Sequence, residues 1–229
     1  MEITDLKQGV KNPNRVNVFV SGKFAFSLDV TQVVDLKLKI GQTLTEEKLI
    51  ECKKASEFGK LYQRTLEWVL VRPRSEREVK EYLFRKKIKK SSADTFLRAR
   101  LYGAQSLPVD PVGSTKSSAD SFDFSEEIIR KLKTKGYVDD WKFAEYYVEN
   151  RFVKKGISQK RLRMELVKKG VVKEIIDEVL SGRNDEEEID KMIAKKRAKY
   201  DDEKLISYLC RQGFSYQLAQ SRVREFEKD

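Results

Sequence analysis

The chain has 229 residues, 39% of them hydrophobic and 37% charged, with only 4 Pro and 11 Gly, a composition that favours long helices over many short strands. Lys and Arg outnumber Asp and Glu by 48 to 37, a formal charge of +11 with no histidine at all. Such a surplus points to a polyanionic partner, nucleic acid first, and the missing imidazole excludes Ser-His-Asp and Cys-His catalysis and His-ligated zinc.

In chain order, Val16, Val18 and Val20 alternate with Asn17 and Phe19, Ser21-Gly22-Lys23 offers a turn, and Phe24, Phe26 and Leu28 alternate again. This is a hairpin signal. A short helix is expected over Asp29–Val34, ended by Gly41, and Thr45 is a plausible N-cap for a helix to about residue 54. From about residue 56 the spacing is helical, with a stripe of Phe58, Leu61, Tyr62, Leu66 and Val69. Arg72-Pro73-Arg74 ends that helix, because the residue before proline resists the α region. Ser75 and Glu78 form a capping box. Residues 103–124, with Gly103, Pro108, Pro111 and Gly113, read as a flexible insertion. Ser125 then caps another helix, and Gly136, Gly156, Gly170, Gly182 and Gly213 fall at helix ends.

Three segments align without gaps from Ser75, Ser158 and Asp201. Four positions on stand Val79, Leu162 and Leu205; eight on, Leu83, Leu166 and Leu209; twelve on, Lys87, Gly170 and Gly213. Ala93, Ile176 and Ala219, then Leu97, Leu180 and Val223, continue the match. Each unit reads as a capped helix, a tight turn and a second helix, preceded by a longer helix near 56–71, 140–154 and 185–199. The expected fold is mainly α, an elongated array of tandem three-helix repeats with a small N-terminal β-hairpin and helix segment. Its divisions are 1–55 (hairpin and short helices), 56–102 (repeat one), 103–124 (insertion), 125–182 (a helix plus repeat two) and 183–229 (repeat three). One such unit buries too little alone, so neighbours must support one another.

The charge surplus is local. Residues 60–104 carry a net +8 and 126–182 a net +4, whereas 183–229 balance. The candidate binding residues are therefore Arg72, Arg74, Arg77, Lys80, Arg85 and Lys86 in repeat one, and Lys154, Lys155, Lys160, Arg161, Arg163, Lys168 and Lys169 in repeat two. Such a stripe can follow a phosphate backbone through counterion release rather than base reading; a solvated helical face is the bland reading of the same residues.

Other chemistry finds little support. Cys52 and Cys210 stand alone and read as reduced thiols. No run of 18 apolar residues occurs, the first residues lack a signal-peptide pattern, and neither Gly-rich nucleotide motif is present. A cytoplasmic protein with no cofactor and no metal site is expected. Asp139-Asp140, with Glu145, could suggest a metal-dependent nuclease, but an N-cap with a second acid in the first turn accounts for the pair. Trp68, Trp141, Tyr146, Tyr147 and Phe152 could stack on bases, though their helical spacing suits a core.

Arg72-Pro73-Arg74-Ser75-Glu76-Arg77-Glu78-Val79, followed by Tyr82-Leu83, resembles the first-repeat signature of the RecX regulatory proteins. Gly136-Tyr137-Val138-Asp139-Asp140-Trp141-Lys142-Phe143-Ala144, leading into Tyr147-Val148-Glu149-Asn150-Arg151, resembles the family's most distinctive motif. Leu166 to Val171 and Leu209 to Phe214 are similar to its leucine-to-glycine turns. The resemblance covers about residues 58–229 apart from the insertion, and the hairpin is similar to the extra N-terminal segment of longer members. It implies a non-enzymatic modulator of the RecA recombinase, built of tandem three-helix repeats and bound in the groove of the RecA–DNA filament. There it would impede growth or promote disassembly, lowering strand exchange, ATP hydrolysis and co-protease activity in DNA repair and the SOS response. The implied partners are the RecA filament on DNA and single- and double-stranded DNA, with no membrane and a monomeric protein. The alternative is a helix-turn-helix-like DNA-binding regulator acting without RecA. Two departures from the family pattern are the 103–124 insertion and Lys87, which stands where glycine is expected. A non-Gly residue in the left-handed region costs about 1 kcal/mol, so that turn is expected to differ in shape.

Overall fold

The computed structural model describes residues 1–10, 12–87 and 123–226, with the side chains of 152–155 outside the description. They fall into two compact units: residues 1–70 with 82–87 and 123–131, and residues 71–81 with 132–226. Most of the 103–124 insertion, the second helix expected in repeat one with Ala93 and Leu97, and the cations Lys89 and Lys90 lie outside the described residues. No described helix is long and apolar enough to cross a membrane.

The first unit opens with a three-stranded antiparallel sheet, β1 (Ile3–Gln8), β2 (Arg15–Val20) and β3 (Lys23–Asp29), in the order β1-β2-β3. The expected hairpin is β2–β3. Ser21 and Gly22 both have positive φ, 49° and 76°, the geometry whose twist matches the flanking strands. Val18, Val20, Phe26 and Leu28 face the core with Ile3, Leu38, Leu44 and Cys52. Strand β1 escapes a reading by alternation because it buries one residue fully, Ile3; its pairing, Leu6 opposite Val18 and Gln8 opposite Val16, supplies its order.

Helix α1 (Val30–Asp35) starts at Asp29, whose carboxylate accepts from the Gln32 N–H while the Gln32 side chain bonds the Asp29 N–H, a reciprocal capping box. It ends at Leu36, followed by Lys37 at φ 52°, not at Gly41. Gly41 instead turns the chain back so that its N–H reaches the Ile3 carbonyl at 2.8 Å. Thr45 caps α2 (Glu46–Leu70) through the Lys48 N–H. This helix runs unbroken where two were expected, so the 55/56 division lies inside it. The reason is its choice of buried residues. Cys52, Ser56 and Gly59 face inward, Ser56 Oγ donates to the Ser27 carbonyl at 2.6 Å, and the expected stripe of Phe58, Leu61, Tyr62 and Leu66 is only half-buried. Ser56 lets the helix lie close to β3 and Gly59 leaves room for the Gln32 side chain of α1, and these small residues leave no apolar period to read across 52–59.

Helix α3 covers residues 76–87. Helix α4 (Ser125–Thr134) follows, with Ser125 inside it rather than capping it; the Asp123 carboxylate accepts the Ser125 N–H. In the second unit come α5 (Asp140–Lys155), α6 (Gln159–Lys168) and α7 (Lys173–Leu180), then α8 (Asp185–Lys196), α9 (Asp202–Arg211) and α10 (Tyr216–Glu225). These are two three-helix units in the expected register. Leu162, Leu166, Ile176 and Leu180 share one core, and Leu205, Leu209, Ala219 and Val223 the other. Val79 and Leu83 are equally buried on α3. Lys87 is still helical and not at positive φ, so the left-handed strain expected there does not arise at that residue.

Candidate functional site

Each repeat's middle helix (α3, α6, α9) has one buried ridge, and the rest of its surface follows from 100° per residue. On α6, Leu162 and Leu166 point inward, so Lys160, Met164 and Val167 lie at the centre of the opposite face, with Arg163 and Lys168 flanking it. On α3 the same register positions are Arg77, Glu81 and Phe84, flanked by Lys80 and Arg85. Six of the sequence candidates thus occupy one outward register in two repeats: Arg77 with Lys160, Lys80 with Arg163, Arg85 with Lys168. Arg77 pairs with Glu81 at 3.2 Å, Lys80 with Glu76 at 2.7 Å, and Arg163 with Asp177. The Arg77 and Arg163 pairs are exposed, worth little and easily exchanged, whereas Glu76 is half-buried and also takes Lys133 at 2.6 Å. Lys160, Lys168 and Arg85 are exposed and have no ion-pair partner among the described residues. Lys86 lies over the Tyr82 ring at 5.1 Å, and Tyr82 stacks on Trp68 at 4.4 Å.

The remaining candidates do different work. Arg72 holds the Glu78 carboxylate with both terminal nitrogens at 3.2 Å, and Lys169 reaches the same carboxylate at 2.8 Å. Glu78 is buried. Burial pushes its pKa up, but the hydrogen bonds from Arg72 and Lys169 outweigh that and hold it below the usual carboxylate range. Arg74 is half-buried, and burial lowers its pKa, with Arg72 adding to the effect. Arg161 bonds the Arg211 carbonyl and Glu165. The side chains of Lys154 and Lys155 lie outside the described residues.

Arg72, Lys169 and Arg161 belong to two similar junctions within the second unit, where the N-terminus of one middle helix meets the C-terminal turn of the next. At the first, Ser75 Oγ accepts the Glu78 N–H at 3.2 Å and donates to the Lys169 carbonyl at 2.8 Å. The Glu76 N–H donates to Asp140 at 2.8 Å. At the second, Ser158 Oγ accepts the Arg161 N–H, the Ser158 N–H donates to the Gln212 carbonyl at 3.2 Å, and the Gln159 N–H donates to Asp185 at 2.7 Å. Lys169 and Gln212 are the equivalent C-cap residues of α6 and α9. Each junction therefore satisfies helix-end groups that would otherwise lack partners. The expected capping box at Ser75 is only half made, because the Glu78 carboxylate turns to Arg72 and Lys169.

Both acids of the Asp139-Asp140 pair serve helix starts. Asp139 caps α5 by accepting from the Trp141 and Lys142 N–H groups, and Asp140 serves α3. Burial raises the Asp140 pKa, and the Glu76 N–H offsets part of the rise. Among the described residues no three His, Cys, Asp or Glu side chains are grouped to hold a metal. Of the aromatics, Tyr147 is half-buried and donates to Glu165 at 2.8 Å; burial, reinforced by that bond, pushes its pKa up to about 12. The role of Asp140 and the exposure of Met164 and Val167 were not readable from the sequence. Only their spacing from Ser75 and Ser158 carried a hint.

Comparisons with known proteins agree with this layout. The family model described as the regulatory protein RecX N-terminal domain matches residues 1–45, and that of the RecX second three-helix domain matches residues 139–180. A regulatory protein RecX of Listeria monocytogenes (serovar 1/2a, strain EGD-e) is 26% identical over 235 residues, spanning 98% of this chain and 76% of that protein. The Bacillus pumilus regulatory protein RecX is 27% identical over 233 residues, spanning 97% and 76%. Among solved structures, a crystal structure of regulatory protein RecX shares the fold at a TM-score of 0.64 with 19% identity and 98% of both chains covered. That of RecX from Lactobacillus salivarius aligns at a TM-score of 0.51 with 20% identity, over 76% of this chain and 99% of that one.

Proposed function

We propose that this chain, grouped by its motifs and matches with the RecX family of regulatory proteins, modulates the RecA recombinase by binding the RecA–DNA filament and lowering its ATP hydrolysis, strand exchange and co-protease activity. The observation that carries the reading is the repeated outward register of cations, Arg77 with Lys160, Lys80 with Arg163 and Arg85 with Lys168. A cation series repeated on successive helical units suits a repeating polyanion, and its attraction acts before any close contact forms. The junction residues are left to hold the repeats together. A monomeric, non-catalytic regulator acting in the cytoplasm follows from the same reading.

The test uses RecA on single-stranded DNA. The parent protein should suppress ATP hydrolysis and shorten filaments seen by electron microscopy. Charge reversal at Arg77, Arg85, Lys160 and Lys168 together should raise the concentration needed at least tenfold while leaving the helical circular dichroism unchanged. A folded quadruple variant that inhibits as well as the parent would defeat the reading. Sequence-selective duplex binding by the parent, with no effect on RecA, would favour the helix-turn-helix alternative.

A further inference from the structure

The outward face of α6 is not simply basic. At its centre, Met164 is 50% and Val167 56% exposed, and Val172, at the turn leaving the same helix, is 52% exposed. Single exposed apolar residues are ordinary. Three features set these apart. Phe84, 63% exposed, holds the Val167 position on α3, so the apolar position recurs where the cations recur. The third repeat lacks the exposed pattern: its α9 has Glu203 and Ser207 at the positions of Lys160 and Met164, and Cys210, at the Val167 position, is half-buried against its own core, while its buried residues match. The fold therefore does not require the apolar face.

The third feature is independent. Val172 is the N-cap of α7 and makes no side-chain cap bond, whereas Ser215, its counterpart, accepts the Leu218 N–H and caps α10. Valine ranks among the poorest N-cap residues. The chain keeps a side chain there that weakens the helix start and contributes to no core.

Apolar side chains gain nothing from phosphate oxygens. An apolar centre with a charged rim is the anatomy of a protein interface. We propose that this face docks an acidic protein segment, with an apolar side chain of the partner seated on Met164 and Val167 beside Val172, and its carboxylates on Lys160, Lys168 and Arg163. Charge complementarity selects the occupant, since Lys160 and Lys168 have no acidic partner among the described residues. The inference rests on the function proposed above and deepens it: the segment belongs to the RecA protomers of the filament, not to its DNA.

Two sets of variants test it against RecA filaments on single-stranded DNA, with labelled protein and fluorescence anisotropy. Met164→Ser with Val167→Ser should weaken filament binding about thirtyfold, as expected for truncating two contacts of roughly 1 kcal/mol each. Met164→Leu with Val167→Ile should bind like the parent. Val172→Ser should move two readouts in opposite directions, raising Tm by about 2–4 °C through a restored cap and weakening filament binding several-fold. A better-capped Val172→Ser protein that binds undiminished, or a Met164→Ser/Val167→Ser protein that binds like the parent, overturns the proposal. So does an equal loss of affinity for single-stranded DNA free of RecA, which would assign the face to nucleic acid. A parent protein that does not bind filaments at all would instead remove the proposed function and this inference with it.

Discussion

Gly170→Ala is the sharpest probe of the junction between the first two repeats. Gly170 follows the α6 C-cap at φ 82°, where an alanine costs about 1 kcal/mol. A methyl there would also stand 2.8 Å from Arg77 Cβ and 3.0 Å from its Cδ, against a comfortable carbon contact of about 3.5–4.0 Å. The α3 N-terminus would have to withdraw by several tenths of an ångström. Withdrawal stretches the 2.8 Å bond from Ser75 Oγ to the Lys169 carbonyl and the 2.8 Å Lys169–Glu78 contact. Losing one such bond adds about 1 kcal/mol and residual crowding a similar amount, for a total of about 3 kcal/mol. Gly136 is the control. It has φ 70° and open space where a methyl would go, so Gly136→Ala should cost about 1 kcal/mol. Urea titrations should show a lower midpoint at unchanged slope for both. The heat midpoints should fall by about 6–12 °C and 2–4 °C respectively, at roughly 2–4 °C per kcal/mol for a chain of this size. Equal losses in the two variants would refute the close approach of α3 to that turn.

Three further outcomes follow from the same geometry. Glu78→Gln should cost about 2–3 kcal/mol, less than the loss for a fully buried pair because Arg72 and Lys169 can reach solvent; guanidinium unfolding measures it. The folded-state pKa values of Glu78, Glu76 and Glu165 lie below their ordinary value, the first and last through arginine and lysine or tyrosine bonds that outweigh burial, Glu76 through Lys133 and Lys80. Their stabilisation is therefore present above the unfolded carboxylate pKa of about 4.3 and is lost as pH falls through the lower folded values; Tm should drop in acid, and less steeply in Glu78→Gln than in the parent. Asp140→Ala should speed hydrogen exchange at the Glu76 amide about tenfold or more, while Asp140→Asn, which keeps an acceptor, should not.

The residues that read correctly in the sequence are those whose structure is decided within a few positions. Ser75, Thr45, Asp139, Ser158 and Asp201 accept N–H groups two or three residues ahead, so a short polar side chain before an apolar period was enough to find them. The repeat register was equally legible, because Val79, Leu162 and Leu205 must each face inward at the helical period, and burial bears this out. Strand β1 and the unbroken α2 were not legible. The first depends on a partner strand and the second on small residues, Ser56 and Gly59, that record close approach rather than hydrophobicity.

For the candidate site the same division holds. The sequence alone determined that the cations concentrate in the first two repeats, since charge is a count, and that most of them lie on or next to the middle helices, since the caps mark those helices. It could not determine which way each cation faces a neighbour. Tertiary structure decided that Arg72 and Lys169 bind the buried Glu78 carboxylate and Arg161 a helix end, that Arg85, Lys160 and Lys168 remain outward, and that Asp140 serves a helix 64 residues earlier in the chain. The physical reason is that a charge acquires its role from the dielectric and the partners around it, and both are set only when distant segments meet.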